Sequence, residues 1–240
     1  MLTLSHPHEG ILPICKPKTK SSFSLVTILR RLTGVRTIGH AGTLDPFADG
    51  VMLLMIGKRF TRMSNQFLNQ EKEYLATAHL GITTDTYDID GQVVAQSSHI
   101  PTLSEVEEAL IKFQGTILQT PPMFSAKKVD GKKLYELARK GITIERQAVP
   151  VTMHIQLIDY TYPQLKLKIQ CSKGTYIRSL AHDLGIELGS GAHLTALTRT
   201  RSGNFALQDC CDGARLMETG YDWVHYLKKD ANAAAHRPER

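Results

Sequence analysis

Twelve residues from Gly39 to Gly50, GHAGTLDPFADG, bring together side-chain types that seldom crowd into one short stretch. Glycines stand at 39, 42 and 50, an imidazole at His40 and an Asp-Pro step at Asp45 and Pro46, and an abruptly apolar run, Val51 to Ile56, follows. Glycine lets the backbone turn through positive φ or come close to a ligand, because it has no Cβ to clash. A residue before proline is pushed out of the right-handed helical region. Asp45 is therefore expected to be extended, with its carboxylate projecting from a turn toward whatever the glycines admit. The same residues also suit a structural use, with Asp45 as N-cap and Pro46 at the first position of a short helical turn. This stretch leaves both uses open, and the rest of the chain must decide.

A second group of functional types lies in SKGTYIRSLAHDLG. The alternation of Leu165, Leu167, Ile169 and Cys171 predicts a strand that turns at Gly174 into a helix burying Ile177, Leu180, Ala181 and Leu184. Tyr176 and Arg178 then sit at a strand-to-helix junction, where side chains commonly line a site. The most basic stretch, Lys127 to Arg146, sets seven basic residues against three acidic ones. A solvated helix with a Glu136–Lys140 pair at i,i+4 accounts for part of it. The pairs Lys127–Lys128 and Lys132–Lys133 ahead of that helix fit a basic arm that tracks phosphates.

Other motifs fail on spacing. Six residues rather than four separate Gly50 from Gly57-Lys58, so this is no phosphate-binding loop. Asp85, Asp88 and Asp90 do not make a calcium loop, because Thr86 falls at its first position and Ser97 at its twelfth. Asp90-Gly91 reads instead as a hairpin turn. The four cysteines, at 15, 171, 210 and 211, lack C-x-x-C spacing, which argues against a disulfide or zinc framework and fits a reducing cytoplasm.

The elements that must position these groups follow from pattern. Gly10 to Pro17 reads as a short strand, and Ser21-Ser22 cap a helix carrying Leu25, Leu29 and Leu32 that closes at Gly34. Val51 to Ile56 reads as a buried strand, and Glu71 to Leu80 alternates with Tyr74, Ala76, Ala78 and Leu80 on one side. A capping box of Ser104 and Glu107 opens a helix closed by Gly115. Further strands run from Val151 to Leu157 and through GAHLTALTRTRSGNF, the latter flanked by Arg199 and Arg201. With 42% hydrophobic and 22% charged residues, the composition is that of an ordinary globular protein. No apolar run approaches the ~20 residues of a membrane span, and MLTLSHPHEG lacks the features of a secretory signal. The net charge of +6 points to a polyanionic partner, nucleic acid first. The expectation is one α+β domain over residues 1–240, its central sheet mixed and mostly antiparallel and flanked by helices. A basic insertion falls at about 119–150 and a frayed tail at about 228–240.

An Asp on a glycine-flanked turn, a Tyr on an alternating strand, a Tyr and an Arg at a distant junction and a basic surface form a specific combination. In it the sequence resembles the TruB family of pseudouridine synthases, which isomerise a uridine in the T loop of tRNA. GHAGTLDPFADG resembles the family's catalytic motif, Lys72-Glu73-Tyr74 with LGITTDTYDIDG its second, and CSKGTYIRSL with DLG and GSGAHL its third. PPMFSAKKVDGKKLYELARKG resembles its RNA-gripping insertion. The resemblance spans roughly residues 10 to 205, with the four stretches in the family's order.

The resemblance implies the pseudouridine synthase fold and a uridine-55 synthase that works as a monomer on the T stem-loop. Asp45 is then the essential carboxylate and Arg178 orients it by a fork-like contact that lysine cannot equal. Tyr74 stacks on the base and assists deprotonation, Tyr176 walls the pocket, and Leu197 and Ile177 supply apolar packing. His40 fills the space vacated by the flipped uridine, Lys16 lies near the site, and Lys127, Lys128, Lys132 and Lys133 hold RNA. Moving uracil from N1 to C5 attachment changes no oxidation state, consumes no water and needs no group donor. Neither cofactor nor metal is therefore implied.

The sequence also departs from the family. Cys15 and Thr19 stand where Asp and Gly are usual, and Val149 and Thr198 where arginine is frequent. Many members carry a small C-terminal RNA-binding domain, and the stretch after Phe205 is too short for a separate one, so a stand-alone enzyme relying on its insertion is expected. The sequence leaves two rivals: a non-catalytic RNA chaperone on the same fold, and a metal-dependent nuclease built on Asp85, Asp88 and Asp90.

Overall fold

The computed structural model describes residues 7–129 and 131–230, which divide into two compact units. The first runs to Tyr74 and resumes at Thr198; the second is Leu75–Leu197. In chain order the first unit supplies β1 (Gly10–Lys16), α1 (Ser22–Thr33), β2 (Ile38–His40), β3 (Asp49–Ile56), α2 (Lys58–Thr61) and α3 (Ser64–Leu68). Strand β4 (Lys72–Leu80) leads into the second unit, with β5 (Ile82–Thr84), β6 (Val93–Gln96), α4 (Leu103–Ile111), β7 (Gly115–Gln119), β8 (Lys128–Val129), β9 (Lys132–Lys133) and α5 (Leu134–Ala138). After β10 (Val149–Thr161), β11 (Gln164–Cys171) and α6 (Ile177–Glu187), strand β12 (Ala192–Ser202) returns to the first unit, which ends with β13 (Phe205–Ala206) and β14 (Cys211–Asp212).

The first unit is built around β3. Antiparallel β1 pairs with it from Gly10↔Ile56 to Lys16↔Gly50, and β12 lies parallel to it at Thr198↔Asp49 and Arg199↔Gly50. The run from Val51 to Ile56 is continuously apolar because it is buried on both faces. Met52, Leu54 and Ile56, with Leu12 and Ile14, pack on Leu25, Val26 and Leu29 of α1. Val51, Leu53 and Met55, with Ile11, pack on Phe60, Phe67 and Phe205. The segment after β13 adds Cys211, Leu216, Trp223 and Leu227 to the α1 side. Helix α1 has the ends its sequence predicts: Ser21 accepts from the Ser24 N–H at 3.1 Å, and Gly34 closes it at φ 73°.

In the second unit β4, β11, β10 and β7 lie side by side in that order. Strands β10 and β11 are antiparallel, and Val151, Met153, Ile155, Leu165, Leu167 and Ile169 are buried by the alternation that marked them in the sequence. Helix α4 packs on both α6 and β10. Gly185 sits within α6 for a reason: a Cβ there would fall 2.2 Å from the Ala192 nitrogen. Among the described residues no helix is long and apolar enough to cross a membrane.

Several local expectations need correction. The capping box of α4 is Thr102 with Glu105, whose carboxylate accepts from the Thr102 N–H at 2.6 Å. Two overlapping S/T-x-x-E spellings compete here, and the helix starts at the earlier one, directly after Pro101. Ser104 lies within the first turn and its hydroxyl donates to Glu108 at 3.2 Å. Gly115 (φ 75°) opens β7 instead of closing α4. Helix α5 ends at Ala138, before Lys140, so Glu136 faces Lys133 at 3.9 Å. Asp90-Gly91 does lie in the hairpin that joins β5 to β6, but the connection is the longer 85–92 loop, organised by Asp88, which accepts from Thr86 Oγ1 at 2.6 Å and from the Asp90 N–H at 3.1 Å. Most of the expected tail, residues 231–240, lies outside the described residues.

Asp183 on α6 is partly buried, and desolvation pushes its carboxyl up to about 6 from 3.8. Its folded pKa exceeds its unfolded value, so the unfolded chain releases this proton first and stability falls as pH rises between the two. Asp183→Asn is expected to melt above the parent at about pH 8, by a margin that closes toward about pH 4. Thermal melts across that range check this, and identical melting at the upper end refutes it.

Candidate active site

The GHAGTLDPFADG stretch forms the end of β2, a loop and the start of β3. Asp45 caps no helix. Its carbonyl accepts from the Ala48 N–H at 3.2 Å, closing a turn over Pro46 and Phe47, and β3 begins at Asp49. Ser22 Oγ donates to the Leu44 carbonyl at 2.9 Å and accepts from the Leu44 N–H at 3.0 Å. On the other side of Asp45, the Pro46 carbonyl accepts from the Thr19 N–H at 2.8 Å and from Lys16 Nζ at 3.4 Å. Both neighbours of Asp45 are thus pinned, while its own side chain is only half-buried.

Lys16 is fully buried, and its ammonium also donates to the Pro17 and Lys20 carbonyls at 2.9 and 2.7 Å. Loss of hydration lowers its pKa to about 8, although Asp49 and Asp45 pull it the other way. Burial, and secondarily the Arg199 charge, hold the His40 imidazole below its usual range. The His40 Nδ1 is buried without a hydrogen-bond partner. Tyr74, the last residue of the first unit's leading segment, is buried on β4.

The second unit gathers the other candidates. Tyr176 is the N-cap of α6; its N–H donates to Gln119 Oε1 at 2.8 Å, and Gln119 Nε2 donates back to its carbonyl at 3.0 Å. Arg178 donates through Nη1 to the Thr86 carbonyl at 3.0 Å and through Nη2 to the Phe124 carbonyl at 2.7 Å. It also lies 3.4 Å from Asp88 Oδ2 in a buried ion pair. Ile177 and Leu197 are buried. Beside the 85–92 connection a cleft of about 270 Å³ is lined by Asp85, Tyr87, Met123, Phe124 and Arg146 among others.

The basic arm is a short hairpin of β8 and β9 leading into α5, anchored by the fully buried Leu134. Lys132 is exposed and Lys127 partly so; the side chain of Lys128 lies outside the described residues. Lys133 donates to the Tyr135 hydroxyl at 3.2 Å, and Arg139 lies over the same ring. Among the described residues no group of three or more His, Cys, Asp or Glu is placed to hold a metal. Asp85 accepts from the Gln92 N–H at 2.8 Å, and Asp88 serves Arg178 and its own loop.

Arg199 and Asp88 are the residues that sequence reasoning missed. Arg199 is 1% exposed, donating from Nε to the Val51 carbonyl at 2.6 Å and from Nη2 to the Gly42 carbonyl at 3.1 Å. A signal existed: strand alternation puts Arg199 on the same side as the buried Leu197, where an apolar residue is the norm. Asp88 gave no such signal, because its partner is remote in sequence.

Among solved structures the chain is similar to one described as a Cbf5-Nop10-Gar1 complex, with a TM-score of 0.70 and 26% identity. The match covers 91% of this chain but only 56% of that one. The mixed sheet and its flanking helices are therefore those of a pseudouridine synthase. Sequence comparison narrows this class. A protein named tRNA pseudouridine synthase B from Protochlamydia amoebophila is 61% identical over 208 residues, which is 87% of this chain and 79% of that protein. Its namesake from Chlamydia muridarum is 55% identical over 98% of this chain and 97% of its own length. Residues 30–177 match the TruB family pseudouridylate synthase N-terminal domain, and 178–234 the tRNA pseudouridylate synthase B C-terminal domain. The chain belongs to the TruB family.

Ser22→Ala removes the one hydroxyl that satisfies both polar groups of buried Leu44. A loss of ~1–3 kcal/mol is expected, the usual penalty for stranding a buried donor. Chemical denaturation measures it, and an unchanged midpoint and slope would mean that the loop is held without Ser22.

Proposed function

We propose that this protein isomerises uridine 55 in the T loop of tRNA to pseudouridine, acting in the cytoplasm as a monomer, with Asp45 as its essential carboxylate. The observation that carries this reading is the mounting of Asp45. The peptides on both sides of it are pinned by Ser22, Thr19 and Lys16, yet its side chain is not sealed in. The near full-length match to a protein named tRNA pseudouridine synthase B supports the substrate class.

The uridine leaves its stack, which costs a few kcal/mol and less in a loop than in a duplex. His40 takes the vacated space, and a depressed pKa suits it to do so as a neutral ring. The N1–C1′ bond breaks while Asp45 either adds to the sugar or stabilises a glycal-like intermediate. The uracil turns, C5 bonds to C1′, the C5 proton leaves with help from Tyr74, and N1, freed from the sugar, takes up a proton in its place. Every atom of the substrate is kept, so the reaction calls for no cofactor. In this reading Arg178 orients the carboxylate, Tyr176 walls the base pocket, and Ile177 and Leu197 give it an apolar side. The 119–150 insertion contributes to RNA affinity, with Lys127, Lys128, Lys132 and Lys133 meeting phosphates.

Asp45→Asn is expected to lower pseudouridine formation on unmodified T-stem-loop RNA at least about a thousandfold, as loss of an essential reacting group does. RNA affinity should stay near that of the parent. Product mapping without added cofactor reads the outcome; an active variant refutes the assignment, and full tRNA-folding output from an inactive one favours the chaperone alternative. Replacing Lys127, Lys132 and Lys133 by alanine should flatten the plot of log affinity against log salt by ~0.7–0.9 per lost contact. An unchanged slope removes the arm from the RNA interface.

A further inference from the structure

In the first unit one buried charge has no part in the chemistry above. Arg199 stands opposite Gly50 in the parallel pairing of β12 with β3. Gly50, at φ 106°, makes that approach possible, since a Cβ there would fall 2.3 Å from the Arg199 carbonyl oxygen. The guanidinium then reaches the Gly42 carbonyl before Asp45 and the Val51 carbonyl after it. Gly42, at φ 91°, takes a backbone conformation that favours glycine and lies beside the same side chain, with a Cβ there falling in ordinary contact, 3.4 Å from Nη1 of the arginine. Both hydrogen bonds thus go to main-chain acceptors, one in the loop ahead of Asp45 and the other on β3 after it. An apolar side chain of similar volume would fill this space without burying a charge, so filling space does not explain an arginine here.

We propose that Arg199 is a positioning residue for the isomerisation: it clamps the Gly42 and Val51 carbonyls and so fixes where the Asp45 carboxylate points. This rests on Asp45 being the reacting group. The guanidinium suits the role because its rigid planar fork can serve two acceptors at once, whereas an ammonium on a flexible stem is a point donor. The same cation is the charge that acts on His40. Shape and charge can therefore be separated by experiment.

Arg199→Lys and Arg199→Gln are made in the full chain beside Asp45→Asn. Single-turnover rate at saturating enzyme, affinity for T-stem-loop RNA and the His40 titration by NMR are measured, with rates expressed per folded molecule. Arg199→Lys keeps the charge and loses the fork. Its His40 pKa should match the parent while its saturated rate falls roughly 10- to 100-fold, the scale of a misplacement of about 1 Å. Arg199→Gln should lose rate as well and titrate His40 at higher pH. Both should bind RNA within about threefold of the parent if only the catalytic geometry is disturbed. A Lys variant reacting at the parental rate, or one whose defect lies in RNA affinity with the saturated rate intact, overturns the proposal. An inactive Asp45→Asn beside a fully active Arg199→Lys overturns the positioning role alone; an active Asp45→Asn overturns the underlying chemistry and this role with it.

Discussion

The first unit turns on Gly50, which faces Lys16 across one edge of β3 and Arg199 across the other. From Val51 onward β3 is clamped by apolar packing on both faces, which leaves it no freedom to slide. Where that packing stops, the chain enters a loop whose carbonyls no longer meet strand partners. Unpaired main-chain acceptors at the edge of a dry core must find donors. Lys16 and Arg199 supply them, one from each flanking strand.

This arrangement explains why two cations are tolerated in so buried a place. Desolvation weighs on the Lys16 ammonium enough to bring its pKa down to about 8, even with Asp45 and Asp49 nearby. What retains the charge is the set of carbonyls at Pro17, Lys20 and Pro46, which an apolar replacement would leave unmet. The anchors act on the backbone of the Asp45 loop, and the carboxylate inherits its position from them. A preorganised carboxylate avoids reorganising at the moment of reaction, and this is where electrostatic catalysis gains most.

Much of this was legible in the sequence, and the rest was hidden for identifiable reasons. The Val51–Ile56 run, the alternation of β10 and β11 and the capped helix α1 are local patterns, and the structure follows them. The Asp-Pro step was ambiguous because it serves helix starts and open turns alike; the pairing that begins at Asp49 decides for the turn. Ser22, read as a second capping serine, instead turns its hydroxyl to Leu44, a partner that no local rule could name. Thr19 is informative as a departure from the resemblance. It occupies φ 68°, a conformation that costs a residue with a Cβ ~1–2 kcal/mol. That φ is one a glycine would adopt without cost, and here the hydrogen bond from the Thr19 N–H to the Pro46 carbonyl holds it.

The same logic limits what the overall charge conveys. Lys16, Arg199, Arg178 and Lys72 are all buried, and each donates to main-chain carbonyls, Lys72 to those of Phe67, Leu68 and Gln70. These cations count toward the net +6 that points to a polyanion, yet they serve the chain's own backbone. The argument for a nucleic-acid partner must therefore rest on where the remaining positive charge is exposed. Lys132 at the turn end of the β8–β9 hairpin, and Lys127 just before it, are cations of that kind. A composition-level signal thus has two sources, an internal one that fixes loops and an external one that meets phosphates. Only burial, residue by residue, separates them.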